Sequence, residues 1–182
     1  MDFFNMIEPF LIKTKKFSDN RGIFYESFKK EILISQYGLD IEFVQDNHSV
    51  SYKNVIRGLH YQWDRPMDKL VRVSYGRVLD IIVGIREKWK NFGRVSYYDL
   101  NSEENNQLFV PAGFAHGFAV LSDIAHVQYK CSTYYNKNGE SGINPFDKDL
   151  NINWKIDTIS ALVSDKDKDS KSFKEYILNP KF

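Results

Sequence analysis

Between about residues 40 and 136 the chain breaks into short β-branched and aromatic runs separated by turn signals, and nothing else constrains its fold as strongly. Phe43 to Tyr52, Lys69 to Tyr75, Val78 to Arg86, Val95 to Leu100 and Val127 to Tyr135 read as strands. Tyr75-Gly76, Pro111-Ala112-Gly113 and Asn138-Gly139 mark turns between them. Many short strands at short spacing point to an all-β sandwich or barrel, with the jelly roll as first choice. In the third run Leu79, Ile81, Val83 and Ile85 make one apolar face. Val78, Asp80, Ile82, Gly84 and Arg86 make a mixed face, which suits a barrel interior holding a polar ligand. Helix is expected only for Lys29 to Tyr37, stopped at Gly38, and for the charged tail around Ser170 to Ile177.

The 182 residues show no internal repeat and no Pro/Gly/Ser-rich linker, so the reading is one domain over 1–182. A domain of this size buries roughly 70% of its unfolded surface. The formal net charge is +1 with no run of Lys or Arg, which argues against nucleic acid or acidic membranes as partners. Cys131 is the single cysteine, so no intrachain disulfide forms and a reducing compartment is favoured. Met1 to Met6 carry no basic segment leading into an apolar stretch, and nothing approaches the ~20 apolar residues of a membrane span. The expected location is the cytoplasm.

Four histidines stand at positions 48, 60, 116 and 126. A metal-binding β-barrel would show two His one residue apart on a strand, and the chain has no such pair, no H-E-x-x-H and no C-x-x-C. No metal is therefore expected, with convergence of histidines from distant strands as the alternative. His48 and His126 read as ordinary surface or core residues. His60 lies in Arg57-Gly58-Leu59-His60, and His116 in Gly113-Phe114-Ala115-His116-Gly117-Phe118. Small residues beside each let another group approach closely.

These segments, with Asp19 to Phe28, Phe43 to Ser49, Lys69-Leu70-Val71, Tyr129-Lys130, Tyr134-Tyr135, Glu140 to Ile143 and Val163 to Asp167, occur in one order and spacing. Together they resemble the RmlC-type dTDP-4-dehydrorhamnose 3,5-epimerase family almost end to end. The resemblance implies a cupin-like jelly roll (double-stranded β-helix) with short peripheral helices, assembled as a homodimer. It implies a substrate of nucleotide diphosphate plus 4-keto-6-deoxy sugar, for cell-surface polysaccharide precursors. His60 would be the general base, oriented by Asp167, with Tyr129 as the acid on the opposite ring face. Lys69 and His116 would lie near the keto oxygen. Arg57, Gln45, Asn47 and Tyr135 would line the sugar-phosphate site, and Arg21, Phe24 and Glu26 would hold the nucleotide from the partner subunit. The residue types suit the chemistry. A C4 ketone acidifies the hydrogens on C3 and C5, histidine titrates near neutrality, and a cation or donor stabilises the enolate.

Three departures from the family pattern bear on substrate. Gly84 stands where the family often has an Asp expected beside the lysine, the segment Tyr61 to Asp68 differs from the usual Gln-rich loop, and Asn144-Pro145 and Lys155 replace a Trp and a Pro. These leave open a GDP-linked 4-keto-6-deoxyheptose, or inversion at one carbon only. From other classes, a metal-dependent cupin and a non-catalytic sugar-nucleotide-binding module are the alternatives.

Overall fold

A computed structural model describes residues 7–182; the N-terminal reading of Met1 to Met6 lies outside the described residues. Twelve strands and three short helices are found there. One five-stranded antiparallel sheet takes the order β1 (Phe10–Ile12), β9 (Gln107–Val110), β6 (Lys69–Tyr75), β11 (Ile124–Cys131), β4 (Gln45–Tyr52). The other runs β12 (Glu140–Gly142), β5 (Ile56–Gln62), β10 (Phe114–Val120), β7 (Arg77–Gly84), β8 (Val95–Asn101). The two sheets face each other as a flattened jelly roll. Among the described residues they do not join into a closed hydrogen-bonded cylinder. A separate hairpin, β2 (Lys16–Asp19) with β3 (Gly22–Tyr25), carries exposed Ile23 and Phe24.

Strand alternation sorts the side chains into three apolar clusters. The expected apolar face of β7 (Leu79, Ile81, Val83, then Ile85) turns outward under Trp154, Phe173 and Tyr176 of the C-terminal segment. On the other face, Val78 and Ile82 pack between the sheets with Val71, Leu108, Phe118 and Val127. Asp80 on that face is completely buried. A third cluster sets Leu33 against Leu70 and Phe109. It seats helix α1 (Lys30–Tyr37) on the first sheet.

Helix α1 stops as expected: Gly38 has φ 68° and its N–H donates to the Ile34 carbonyl at 3.1 Å. The tail helix is shorter and later than expected, running Phe173–Leu178 (α3). The reason is a capping box. Ser172 Oγ accepts the Glu175 N–H at 3.2 Å, and the Glu175 carboxylate accepts the Ser172 N–H at 2.7 Å. Ser172→Ala is expected to cost about 1 kcal/mol of stability by removing this cap, read as a shift of the urea midpoint with an unchanged slope.

One expected strand is too long. The strand expected to reach Tyr135 ends at Cys131, so Tyr129 and Tyr135 do not share one strand face. Beyond it the Ser132 N–H donates to the Asp68 carbonyl at 3.0 Å, and Ser132 Oγ accepts the Asp68 N–H at 2.8 Å. The backbone is thereby tied to the 63–68 loop instead of continuing the ladder. The charged run at 165–169, which holds the expected partner of His60, folds inward at Asp167. Asp165–Lys168 form a short helix, α2, capped by Ser164, and Asp167 is only 4% exposed.

Candidate active site

The polar end of the inter-sheet space gathers the chemistry. His60 on β5 and His116 on β10 are direct register partners on neighbouring strands. The strands can approach this closely because Gly58 and Gly117 interlock. A Cβ on Gly58 would sit 2.5 Å from the Gly117 Cα. Register slips between His116 and Phe118: Gly58 and Leu59 of β5 stand opposite the single Gly117 of β10, so the bulge lies on β5, next to His60.

His60 Nε2 lies 2.7 Å from Asp167 Oδ1, although the two are 107 residues apart in sequence. The second carboxylate oxygen of Asp167 accepts the Gly58 N–H at 3.1 Å, and the Asp167 N–H donates to Ser164 Oγ at 3.2 Å. Burial alone would raise this carboxyl. The His60 hydrogen bond and charge, with the Gly58 and Ser164 bonds, hold it below the ordinary carboxylate range. A depressed carboxyl adds stability above its unfolded value, lost as pH falls through the folded one. Acid unfolding of the wild type is therefore expected to steepen below about pH 4. Asp167→Asn should flatten that limb of a melting-temperature profile.

His116 forms a second dyad, its Nε2 2.9 Å from Asp80 Oδ2. Lys69, at the start of β6, stands within reach of Asp80, Glu140 and Cys131; burial pushes its ammonium down, and those three groups pull it back. The carboxylate that neighbours Lys69 is therefore Asp80, four residues before Gly84. Gly84 itself is packed so that a Cβ would meet the Asn91 carbonyl oxygen at 2.1 Å, leaving no room for a side chain. The expectation that an Asp at this place would flank the lysine is corrected accordingly.

Tyr129 on β11 is pushed up by burial and by Cys131, while a hydrogen bond with Asn47 and the charge of Arg57 pull it down. Asn47 also donates to Cys131 Sγ at 3.5 Å and accepts from Gln45 Nε2 at 3.0 Å. Gln45 Oε1 in turn accepts the Tyr135 N–H at 3.0 Å. Arg57 Nε donates to Ser51 Oγ at 3.0 Å, two steps beyond Asn47 along the same inner face of β4. Arg57, His60, Ser164 and Lys166 line an open cavity of about 530 Å³, a size ordinary for small-ligand sites.

The residues that sequence reading missed are Asp80, Glu140 and Lys166. Glu140 accepts from Tyr135 Oη at 2.9 Å and pairs with Lys166. Burial raises its carboxyl, but Lys166, Tyr135 and the charge of His60 together bring it below the ordinary range. Its field also reaches Lys69 and Tyr129. One carboxylate thus stands in electrostatic reach of His60, Lys69 and Tyr129. Asp80 had a visible signal, an Asp on an otherwise apolar inward strand face. Glu140 and Lys166 had none beyond their membership in the matching segments.

Arg21, Phe24 and Glu26 are not brought into this site. Arg21 closes on Asp19 at 2.6 Å, Phe24 is 70% exposed, and Glu26 lies 3.9 Å from Lys29. All three stand on or beside the β2–β3 hairpin. Among the described residues no group of three or more His, Cys, Asp and Glu is placed to hold a metal ion, and no helix is long and apolar enough to cross a membrane.

The family model described as dTDP-4-dehydrorhamnose 3,5-epimerase matches residues 4–175. The dTDP-4-dehydrorhamnose 3,5-epimerase of Shigella flexneri is 44% identical over 164 residues, covering 90% of each chain. A dTDP-4-dehydro-6-deoxyglucose 3-epimerase of a Streptomyces species is 36% identical over 154 residues, 84% of this chain and 78% of its own. The crystal structure of dTDP-6-deoxy-D-glucose-3,5-epimerase from Legionella pneumophila Philadelphia 1, in complex with dTDP-4-keto-L-rhamnose, superposes with a TM-score of 0.88 at 40% identity, covering 91% of this chain and 88% of that one. With a jelly roll, a histidine held by a buried aspartate and matches of this extent, the chain is an epimerase that belongs to the dTDP-4-dehydrorhamnose 3,5-epimerase family.

Proposed function

We propose that the protein inverts C3, C5 or both in a dTDP-linked 4-keto-6-deoxy sugar, without a cofactor, through an enolate. The observation that carries this reading is the His60–Asp167 pair at 2.7 Å, with His116 as the register partner of His60. With His60 Nε2 committed to Asp167, Nδ1 is the nitrogen that takes a proton from the carbon beside the ketone. Asp167 holds the imidazole in that tautomer and stabilises the imidazolium that forms. Negative charge then develops on the C4 oxygen, where Lys69 supplies a preorganised cation and His116, held by Asp80, packs alongside. Buried Asp80 orients His116 and keeps positive charge near Lys69. Inversion needs a proton returned from the opposite ring face, and Tyr129, raised by burial, stays protonated to deliver it.

The diphosphate falls to Arg57 and Lys166 at the cavity mouth, with Gln45, Asn47 and Tyr135 along the sugar. Arg21, Phe24 and Glu26 reach a site only across a subunit boundary, so the hairpin completes the nucleotide pocket of a homodimeric partner. The relatives carry dTDP in their names, which favours thymidine over a GDP-linked heptose. The product serves cell-surface polysaccharide precursors in the cytoplasm.

The test is exchange in deuterium oxide, followed by NMR at C3 and C5, with dTDP- and GDP-linked 4-keto-6-deoxy sugars. Wild type is expected to exchange at least one of the two positions on the dTDP substrate. Tyr129→Phe is expected to retain exchange while losing about 10²–10⁴-fold in inversion, because abstraction proceeds but the second-face proton is missing. A folded protein that binds nucleotide but exchanges neither carbon would establish the binding-module reading instead.

A further inference from the structure

The outer face of the first sheet carries a histidine pair that the reaction does not use. His48 on β4 and His126 on β11 project from adjacent strands, on the side opposite Asn47 and Tyr129. His48 pairs across the ladder with Gln128, and His126 with Val50, so the imidazoles are diagonal neighbours. Their ring centroids are 5.2 Å apart, and His48 Nε2 faces His126 Nδ1 at 3.2 Å. Tyr75 meets His126 edge-on at 5.6 Å.

That separation is also the bite of a chelate. A zinc ion sits about 2.0–2.1 Å from each imidazole nitrogen. Two nitrogens 3.2 Å apart then subtend roughly 100–106° at the ion, close to tetrahedral, once the ion replaces the hydrogen bond between the rings and each turns its lone pair toward it. We propose that His48 and His126 form a two-imidazole site for a borderline divalent cation of the zinc, nickel or copper type.

The surroundings define its selectivity. Asp46, two residues before His48, is held by Lys130 at 3.0 Å. Arg72 is bonded to Gln128. Among the described residues no further carboxylate on this face joins the pair, so hard cations such as Mg²⁺ and Ca²⁺, which take oxygen ligands, find no purchase. Nitrogen-only donors rank copper above nickel and zinc. With two protein ligands the remaining positions go to water, which makes the site open and exchangeable, unlike a four-ligand structural zinc. The strand backbone separates it from the reaction space, so the ion is no cofactor of epimerisation.

Calorimetric titration of the full-length protein with zinc chloride tests this, beside His48→Asn, His126→Asn and His60→Asn. Far-UV circular dichroism confirms that each variant is folded. One ion per chain is expected for wild type and for His60→Asn, with affinity lowered at least about tenfold in either outer-face variant, since even an outer-sphere partner is typically worth 10–100-fold. Mg²⁺ should give no heat of binding, and Cu²⁺ should broaden the ring signals of His48 and His126 before those of His60. Epimerase activity should be unchanged in the outer-face variants. Saturation that is lost in His60→Asn and kept in both outer-face variants would move the ion to the reaction site and overturn the proposal. Absence of saturable zinc binding below about 1 mM would equally overturn it.

Discussion

His60→Ala is expected to lower kcat/KM by about 10²–10⁴-fold and to abolish hydrogen exchange at both carbons beside the ketone. The reasoning rests on position. His60 is the imidazole held by a buried carboxylate at 2.7 Å and facing the cavity that Arg57 and Lys166 share. Its contribution belongs to proton transfer, so kcat should fall while nucleotide affinity stays within a few-fold of wild type. Asp167→Asn should reproduce much of the loss, because an amide in its place favours the wrong tautomer and leaves the imidazolium unsupported. Steady-state kinetics with isotope exchange reads both. Wild-type exchange at C3 or C5 in His60→Ala would assign the base elsewhere, with His116 the next group to examine.

Gly58→Ala is expected to be the most damaging single-methyl change in the site, and it touches no substrate. Gly58 has φ 119°, a conformation that L side chains rarely adopt, and its new Cβ would meet the Gly117 Cα at 2.5 Å and the His116 carbonyl oxygen at 2.7 Å. Both obstacles are backbone and cannot rotate away. Overpacking of this kind costs about 1–3 kcal/mol, and the positive φ adds about 1–2. A total of about 2–5 kcal/mol corresponds to a fall of roughly 5–20 °C in Tm for a domain of this size. Separation of β5 from β10 also moves His60 from Asp167 and costs Asp167 the Gly58 N–H bond, so activity should drop even well below the new Tm. Gly22, also at positive φ but with open space within 4 Å of where its Cβ would stand, serves as the comparison for the conformational cost alone. Similar Tm losses in Gly22→Ala and Gly58→Ala would show that the β5–β10 approach is not what Gly58 protects.

The amino-acid sequence was enough to establish the class of fold, because alternation is a local property. The two faces of β7 could be sorted by counting every second residue. One went under the C-terminal layer and the other between the sheets. The stop of α1 at Gly38 was equally local, a left-handed residue one step past the last turn. Failures came where a distant partner overruled the local pattern. The run after Cys131 carries strand-like residues to Tyr135, yet Asp68 captures Ser132 from 64 residues away and ends the strand. Gly84 aligned with a place where a carboxylate was expected, but the Asn91 backbone fills the space and Asp80 stands near Lys69 instead.

The site divides in the same way. Residue identity alone determined that a near-neutral base, a tyrosine and a buried-strand lysine were available, and the order of the motifs determined the family. The family resemblance had already paired Asp167 with His60; tertiary structure alone paired Asp80 with His116 and brought Glu140 to Lys166. Asp167 sits in a run of alternating charges that composition would leave in solvent, and only the Ser164 cap and the Gly58 N–H fold it inward onto His60. Glu140 and Lys166 meet for the same reason, across 26 residues and two elements. The physical cause is the range of the forces involved. Side-chain alternation and backbone stereochemistry act over a few residues and can be read along the chain. Desolvation and charge pairing act through space, and take their sign and strength from neighbours that exist only once the sheets have closed.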